Sequence, residues 1–235
     1  MGKYIIPDIH GCLNSLRHLV EDKLQISIDD QLFFLGDYID RGPYSAGVVE
    51  YIMGLIHDGY RVNCLMGNHE QMMLDSFTSK DKLALWMINA GITTINSYLK
   101  NFKTEVLVNG FLPQRHLNFF QKLGYHLILE DDKIILVHGG INYYSDNPFD
   151  DIQSILWNRA EEVPGNFFPG YRIIHGHTPM DLDTIRNALS EKDRRLFGLD
   201  AGCVFRGEWY PGTGYLTALS IDNWELVFVK CVDKW

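Results

Sequence analysis

A short apolar run, followed by polar residues and then by an amphipathic segment, occurs three times in the first third of the chain. Residues 3–9 predict a β-strand, and apolar residues then recur at helical spacing over residues 13–24. Residues 32–35 predict a second strand, followed by a helix whose apolar face lies within residues 48–56. Residues 61–66 predict a third strand. Strands that alternate with helices predict an α/β fold with a parallel sheet.

The pattern changes along the rest of the chain. Residues 71–123 are mostly helical in pattern, and Pro113 is expected to begin a helix. Because strand patterns resume afterwards, we interpret 71–123 as a helical cap or insertion in a single domain covering residues 1–235. Further strands are predicted at residues 125–129, 133–137, 172–174, 196–199, 215–221 and 226–232. Two stacked mixed sheets flanked by helices would accommodate this order, with βαβ units first and a β-rich second half.

Residues that can bind metal follow four of these strands, each time close to a glycine. Asp8 and His10 follow the first strand, and the alternation of side chains in extended backbone places both on one face. Asp37 follows the second strand, Asn68 the third, and His138 the strand at 133–137. The carboxyl ends of strands are where open α/β sheets bind ligands. Oxygen ligands mixed with imidazole nitrogen are typical of a divalent transition metal.

The densest cluster is Gly36-Asp37-Tyr38-Ile39-Asp40-Arg41-Gly42, directly after the second strand. Alone, it is explained equally well by a solvated βα loop with an incidental ion pair, and an isolated Asp-x-His pair is weak evidence of a metal site. The recurrence of such residues after four separate strands favours one functional edge of the sheet.

Composition and charge narrow the classes of function. The 235 residues are 46% hydrophobic and 22% charged, as in an ordinary globular protein, and the net charge of −9 argues against a nucleic-acid partner. A phosphate site in this chain would need local positive charge from arginines or bound cations. The scattered cysteines favour reduced thiols in a cytoplasmic protein over disulfides or a structural zinc site. The first apolar run is too short for a signal peptide or membrane span, so no membrane partner is expected.

Five motifs, in their order along the chain, resemble those of the phosphoprotein phosphatase (PPP) type of metallophosphoesterase. They are Asp8-Ile9-His10-Gly11, the cluster from Gly36 to Gly42, Gly67-Asn68-His69-Glu70, His138-Gly139-Gly140 and Gly176-His177-Thr178. The second and third motifs together are highly specific to that family. The resemblance implies a calcineurin-like β-sandwich with flanking helices and two divalent metal ions, Mn²⁺ first, with iron or zinc as alternatives.

The resemblance also implies the metal ligands. It assigns the first metal to Asp8, His10 and Asp37, and the second to Asp37, Asn68, His138 and His177. The two oxygens of a carboxylate suit Asp37 to bridging two cations about 3.5–4 Å apart. A water shared by the metals would attack phosphorus in line, without a phosphoenzyme intermediate.

The remaining catalytic roles come from the same resemblance. His69 is expected to be the general acid that protonates the leaving oxygen, held by Asp40, because a carboxylate orients an imidazole and favours its protonated form. His69 is not expected to bind metal if Asn68 does so from extended backbone, where neighbouring side chains diverge. Arg41 and Arg159 are expected to bind phosphate oxygens.

Three positions leave alternatives open. Arg159 could be an ordinary surface arginine. His175 could bind metal if residues 174–177 follow the Gly-His-x-His motif of related phosphodiesterases, whereas the phosphatase register places His175 beside the ligands. Pro7 stands where the family usually has a small residue, and a local adjustment of the first strand is expected there.

The motifs favour dephosphorylation of serine/threonine phosphoproteins as the function. The alternative is symmetrical hydrolysis of dinucleoside tetraphosphates, which would use the same metals, arginines and acid. A catalytically silent phosphate-binding scaffold is the third hypothesis, and the presence of every expected ligand argues against it. The substrate partner is therefore expected to be a phosphorylated protein or a small phosphate ester.

Overall fold

A computed structural model describes residues 1–159, 162–207 and 210–234 of the chain. Its two main sheets and their surrounding helices confirm the predicted α/β fold. The strands are β1 Lys3–Ile6, β2 Gln31–Phe34, β3 Arg61–Cys64, β4 Leu107–Val108, β5 Leu112–Pro113, β6 His126–Leu129, β7 Ile134–Val137, β8 Arg172–His175, β9 Leu196–Gly198, β10 Tyr215–Ser220 and β11 Glu225–Lys230. One sheet has the strand order β11-β10-β1-β2-β3, and the other has the order β6-β7-β8-β9. Strands β4 and β5 form a separate pair.

The helices lie outside these sheets in the chain order that the sequence pattern predicts for its first half. They are α1 Leu13–Arg17, α2 Ser45–His57, α3 Asn68–Ser76, α4 Lys80–Ile88, α5 Gly91–Asn101, α6 Gln114–Phe120, α7 Ile152–Trp157 and α8 Leu182–Ser190. A π-helical segment, His18–Leu24, continues α1, and a 3-10 turn covers Cys203–Phe205. None of the helices in the described part of the chain is long and apolar enough to cross a membrane.

Parallel pairing brings the carboxyl ends of six strands to corresponding edges of the two sheets. β1 pairs with β2 and β2 with β3 in parallel, as do β7 with β8 and β8 with β9. β10 and β6 join these sets in antiparallel orientation. The polar residues that follow the parallel strands can therefore approach one another.

The alternation of side chains along the strands divides the core into layers. Ile5 of β1 and Leu136 of β7 belong to one buried cluster, which shows that the sheets stack face to face. Ile6, the next residue of β1, lies in a second cluster with apolar residues of α1 and α2. Ile135, on the opposite face of β7, lies in a third cluster with Ile155 of α7.

Local structure differs from the sequence prediction in two places, and it shows a helix in a third segment for which no element was predicted. The helix predicted over residues 13–24 changes to π-helical geometry after Arg17, because apolar spacing alone does not distinguish the two kinds of turn. Residues 107–113 form the β4-β5 pair within the region predicted to be helical. Asn109 and Gly110 both have positive φ there, as an Asn-Gly hairpin turn requires. The apolar run at 152–157 is a short helix, α7, capped by the Asp151 carboxylate, which accepts the Ser154 N–H at 3.1 Å.

The two prolines that the sequence singled out lie at element boundaries. β1 ends at Ile6, so Pro7 replaces no N–H of the sheet ladder, and the first strand is shorter than predicted. Pro113 is the residue directly before α6, which agrees with its predicted position at a helix start. The division into a single domain with a cap at 71–123 stays a prediction.

Asp233, near the end of the described chain, forms hydrogen bonds with the beginning of α1. Asp233 is buried, and its carboxylate accepts the backbone N–H groups of Asn14 and Ser15, each at 2.9 Å. The Asn14 amide and the Ser15 hydroxyl donate to the same carboxylate at 3.0 and 2.6 Å. Asp233 thus acts as a non-local cap for a helix whose own N-cap residue, Cys12, supplies no side-chain hydrogen bond.

We expect Asp233→Ala to lower the free energy of unfolding by about 1–2 kcal/mol, the usual cost of losing a helix cap. Urea unfolding followed by circular dichroism would measure this cost. Asp131→Ala, at the exposed turn between β6 and β7, is the matched control and should change stability little. Equal stability of the two variants would contradict the capping role.

Candidate metal centre

The carboxyl ends of the parallel strands bring together the residues that the sequence motifs singled out as metal ligands. Asp8 and His10 follow β1, Asp37 follows β2, and Asn68 begins α3 after β3. From the other sheet, His138 follows β7 and His177 follows β8. All of these side chains are buried except that of His177, which is half-buried.

Asp37 lies at the centre of the cluster, between two sets of ligands. Its Oδ2 atom is 3.4 Å from His10 Nε2, and its Oδ1 atom is 3.4 Å from His138 Nε2. Asp8 Oδ2 lies 3.9 Å from His10 Nε2, on the first side. On the second side, potential ligand atoms of Asp37, His138 and His177 all lie within 4.8 Å of one another.

Asn68 completes the second set. Its Oδ1 atom is 2.9 Å from His138 Nε2 and 3.0 Å from His177 Nδ1, so three potential ligand atoms converge on one point. Gly176 allows His177 to approach Asp8, because a Cβ at this glycine would lie only 2.1 Å from Asp8 Oδ1. The His177 N–H donates to that same Oδ1 at 2.9 Å, which ties the two sides together.

Backbone carbonyls orient two of the imidazole rings. His10 donates Nδ1–H to the Ile39 carbonyl at 2.8 Å, and His138 donates Nδ1–H to the Leu35 carbonyl at 3.0 Å. Each ring therefore directs Nε2 into the centre, an arrangement typical of metal-binding histidines. Burial lowers the pKa of both rings, and it lowers the pKa of His177 to about 4. At neutral pH the rings are thus uncharged, the form that binds metal.

The carboxylates of the centre crowd one another. Burial, reinforced by Asp200 and Asp37, raises the pKa of Asp8 well above its usual range. Burial also opposes ionisation of Asp37, but His138, His69 and His10 together lower its pKa. Divalent cations would relieve this repulsion, and the mixture of carboxylate, amide and imidazole ligands suits transition metals. The residues present therefore fit two divalent cations that share Asp37.

Asp200 is a buried member of the centre for which the sequence carries no specific motif. It lies in the loop after β9, and its Oδ1 atom accepts the Gly202 N–H at 2.8 Å. Burial raises its pKa to about 6, with a contribution from Asp37, while Arg41 acts in the opposite direction. Its position after a parallel strand and close to a glycine is the only sequence signal that could have identified it.

His69 and Asp40 form a buried pair beside the potential metal ligands. His69 Nδ1 lies 2.7 Å from Asp40 Oδ2, so the ring donates to the carboxylate. His69 Nε2 lies 4.0 Å from Asp37 Oδ2, and among the described residues it has no hydrogen-bond partner. A buried imidazole nitrogen directed at the centre and free of other bonds can hold a proton for a substrate atom.

One premise of the sequence interpretation is wrong. Asn68 and His69 do not lie in extended backbone but begin α3; Asn68 Oδ1 contacts His138 and His177, and a ring nitrogen of His69 lies within 4.8 Å of Asp37. Divergence of neighbouring side chains therefore does not exclude His69 as a ligand. The hydrogen bond between its Nδ1 atom and Asp40 is the better support for an acid role, which stays a prediction.

Two residues of the predicted cap hold Asp40 in place. The Trp86 indole N–H donates to Asp40 Oδ2 at 2.8 Å, and the Thr94 hydroxyl donates to Oδ1 at 2.6 Å. Trp86 belongs to α4 and Thr94 to α5, and both are buried. Sequence pattern alone does not reveal this role of Trp86, because a tryptophan in a helical pattern gives no sign of the partner of its indole N–H.

The arginines and His175 occupy different surroundings. Arg41 Nη1 lies 2.6 Å from His10 Nε2, which places its guanidinium at the centre. Arg159 is exposed and lines a separate cavity of about 280 Å³ with residues 141–144, and it makes no hydrogen bond to another described residue. The buried His175 ring donates Nδ1–H to the Gly176 carbonyl at 2.9 Å and does not join either ligand set among the described residues. The roles of Arg159 and His175 stay predictions.

Five residues of the centre have positive φ angles, a backbone conformation that residues other than glycine rarely adopt. The φ angles are 47° at His10, 52° at Asp37, 70° at Asp40, 65° at Arg41 and 63° at His177. Such conformations cost on the order of 1 kcal/mol or more each and persist only when surrounding contacts impose them. Their concentration here supports the view that the loops are shaped for a site rather than for stability.

Glu70 imposes much of this loop geometry. Its buried carboxylate accepts four backbone N–H groups: those of Asp37 at 2.8 Å, Tyr38 at 2.8 Å, Ile39 at 3.2 Å and Gly67 at 3.0 Å. It thus joins the loop after β2 to the loop after β3. Gly67 allows this close approach, because a Cβ there would lie 2.2 Å from both the backbone nitrogen and Oδ1 of Asp37.

Comparisons with known proteins agree with this geometry. The model of the family described as "Calcineurin-like phosphoesterase" matches residues 4–208. The chain is 29% identical over 150 residues to a symmetrical bis(5'-nucleosyl)-tetraphosphatase of Buchnera aphidicola subsp. Baizongia pistaciae, covering 62% of this chain and 46% of the relative. The chain thus spans about half the length of that relative.

Two further likenesses extend over nearly the whole chain. An asymmetrical bis(5'-nucleosyl)-tetraphosphatase, PrpE, of Anoxybacillus flavithermus is 24% identical over 247 residues, covering 96% of this chain and 92% of the relative. A crystal structure described as that of a candidate diadenosine tetraphosphatase superposes with a TM-score of 0.64 at 19% identity, covering 97% of this chain and 93% of that one. At that identity, the structural likeness shows the fold alone.

We expect Glu70→Gln to lower the free energy of unfolding by about 3 kcal/mol. A glutamine amide offers one acceptor oxygen in place of two and turns an NH₂ group toward backbone donors. Urea unfolding measures this loss, and titration calorimetry with Mn²⁺ should show weaker binding, since the Asp37 loop loses its support. Glu191→Gln, which alters an exposed pair with Arg194, is the control and should cost at most about 1 kcal/mol. Wild-type stability and Mn²⁺ affinity in Glu70→Gln would contradict the role of Glu70.

Proposed function

The chain belongs to the calcineurin-like phosphoesterase family, and on that premise we propose that it hydrolyses dinucleoside tetraphosphates at the centre around Asp37. The convergence of five other potential ligands on this carboxylate, from the strand ends of two sheets, is the observation that carries the proposal. Both curated relatives described above are bis(5'-nucleosyl)-tetraphosphatases, and one of them matches nearly the full chain. The likeness favours this substrate class over phosphoproteins, which the motifs alone had favoured.

We assign Asp8, His10 and Asp37 to one divalent metal ion and Asp37, Asn68, His138 and His177 to the other. When bound, two such ions polarise phosphoryl oxygens and activate water. The protein contributes neutral imidazoles, the shared carboxylate of Asp37 and a water-poor setting, because most of these side chains are buried.

Arg41 supplies positive charge for the substrate. Its guanidinium is already at the centre, next to His10, and a planar fork of N–H donors can bind two oxygens of one phosphate. In a chain with a net charge of −9, this local cation matters because overall attraction for a polyphosphate is absent. Arg159 is a second candidate for phosphate binding, from the exposed loop after α7.

His69 is assigned the proton that the leaving oxygen takes. Hydrolysis adds the oxygen of water to phosphorus, breaks the bond from phosphorus to the leaving oxygen, and leaves that oxygen with negative charge. Nε2 of His69 is buried, unpaired among the described residues and close to Asp37, so a proton held there can reach the leaving oxygen. Asp40 orients the ring by accepting the hydrogen bond from Nδ1.

A second candidate function is dephosphorylation of serine/threonine phosphoproteins, and the structure holds one observation in its favour. Trp86 and Thr94 both donate hydrogen bonds to Asp40, which in turn orients His69. A leaving group that departs easily would not require a proton donor supported by so many contacts. An alkoxide from serine is a much stronger base than a nucleotide phosphate, so cleavage of a phosphoserine depends more on a proton donor.

Parallel assays on one preparation test the proposal. Protein loaded with Mn²⁺ would be given diadenosine tetraphosphate and a phosphoserine peptide, with kcat/KM measured for each and the nucleotide products separated. We expect kcat/KM for the dinucleotide to be higher by at least about tenfold. Two ADP molecules would show symmetrical cleavage, and ATP with AMP would show asymmetrical cleavage. A higher kcat/KM for the peptide would overturn the proposal in favour of the second candidate.

Asp37→Asn should reduce kcat/KM for diadenosine tetraphosphate more than Asp40→Asn does, because Asp37 contacts both ligand sets. We expect losses on the order of 10³-fold for Asp37→Asn and on the order of 10-fold for Asp40→Asn, since general-acid help contributes less when the leaving group is a phosphate. Metal analysis of dialysed protein should show fewer bound ions only in Asp37→Asn. The reverse order of activity would contradict the assignment of Asp37 as the shared ligand.

Trp86→Phe should show whether the cap supports the proton donor. We expect kcat for a phosphoserine peptide to fall about threefold to tenfold with little change in KM, because a hydrogen bond to the Asp40 carboxylate is lost while the ring volume is largely kept. The loss for diadenosine tetraphosphate should be smaller. Trp224→Phe is the matched control. Trp224 lies between β10 and β11, far from Asp40 in sequence, and packs on Phe197. Equal losses with both substrates would show that Trp86 acts on the fold rather than on proton transfer.

A further inference from the structure

Three of the four cysteines lie close together in the structure. Cys12 precedes α1, Cys203 begins the 3-10 turn, and Cys231 directly follows β11. Their Sγ atoms all lie within 4.8 Å of one another. Cys12 and Cys203 are buried, and Cys231 is partly buried. Thiols so far apart in the sequence meet only because the sheet returns the last strands to the side of β1.

We propose that Cys12, Cys203 and Cys231 bind one zinc ion, at a site separate from the centre around Asp37. Zinc bonds to cysteine sulfur at about 2.3 Å, which in tetrahedral geometry places the sulfurs about 3.8 Å apart. The present upper bound of 4.8 Å therefore requires the side chains to move by about 1 Å or less. Zinc binds the sulfurs as thiolates, so binding releases the protons that the cysteines still hold, and the partly open side at Cys231 leaves room for a solvent molecule as fourth ligand.

The chemistry of the three ligands separates this site from the one around Asp37. Thiolates select zinc and other soft ions, whereas manganese prefers oxygen ligands. The cluster already favours one thiolate, because hydrogen bonds from Cys12 and Cys203 lower the pKa of the Cys231 thiol. Its scattered sequence positions had argued against a structural zinc site, since the usual short spacing between zinc ligands is missing.

A zinc ion at this site would link three segments of the chain that border the centre around Asp37. Cys12 lies two positions after His10, and Cys203 lies three positions after Asp200. Backbone hydrogen bonds already link these segments to the last strand: the Cys231 N–H donates to the Gly214 carbonyl at 2.8 Å, and the Gly214 N–H donates to the Ala201 carbonyl at 2.9 Å. A zinc ion would link these segments further through its bonds to the three sulfurs. Its binding would stabilise the fold whether or not the enzyme is active.

Cobalt substitution tests the proposal through a signal that only sulfur ligands produce. Chelator-treated, reduced protein would be titrated with Co²⁺, and absorption would be followed in the near ultraviolet, where thiolate-to-cobalt charge transfer occurs. We expect an intense band that saturates at one equivalent and is abolished by competing Zn²⁺. Ligands without sulfur, such as those around Asp37, do not give this band.

Cys231→Ser and Cys64→Ser form the matched pair. Cys64 ends β3 and is not a member of the cluster, so Cys64→Ser should keep the band, whereas Cys231→Ser should lose most of it. Zn²⁺ should also raise the Tm of the chelator-treated wild type by several degrees and that of Cys231→Ser by less. Circular dichroism would check that each variant is folded, with Cys203→Ala as the substitute if Cys231→Ser is not.

Two results would overturn the proposal. One is the absence of a charge-transfer band in the wild-type protein, a measurement that requires no variant. The other is a band that persists in folded Cys231→Ser or Cys203→Ala at wild-type intensity. Neither result bears on hydrolysis at the centre around Asp37, which is measured with Mn²⁺ in the separate assays described above.

Discussion

The buried carboxylate of Glu70 is the constraint on which the rest of the centre depends. By accepting N–H groups from the loops after β2 and β3, it holds Asp37 in a left-handed conformation that an aspartate would otherwise avoid. The same contact sets the start of α3, and hence the positions of Asn68 and His69. A single side chain from the third motif therefore shapes the second motif and places its central residue between two sets of ligands.

The centre is built at a cost to stability. Several carboxylates and imidazoles lie out of solvent, and burial, together with the nearby Asp200 and Asp37, raises the pKa of Asp8. Strained backbone at His10, Asp37 and neighbouring residues adds to this cost. Bound cations would offset the repulsion, so ligand binding and folding are expected to be linked in this protein.

The helices between β3 and β6 contact the centre through two hydrogen bonds. Through Trp86 and Thr94 they hold the carboxylate that orients His69, so under the proposed assignment changes in these helices would affect proton transfer without altering the proposed metal ligands. This link matters for the choice of substrate, because proton transfer weighs more heavily for an ester of serine than for a polyphosphate. The comparisons favour a dinucleoside polyphosphate as substrate. The hydrogen bonds that support His69 favour a phosphoserine ester.

The sequence by itself determined the α/β class, most strands to within a few residues, and the motif residues that meet at the strand ends. It could do so because side-chain alternation, helical spacing and short motifs are local properties. It did not reveal the π-helical turn after Arg17, because the apolar positions of a seven-residue segment do not distinguish the two kinds of helix. The roles of Glu70, Trp86 and Asp200, and the meeting of Cys12 with Cys203 and Cys231, were decided only by the tertiary structure. Each depends on contacts between residues far apart in the chain, which no local pattern records.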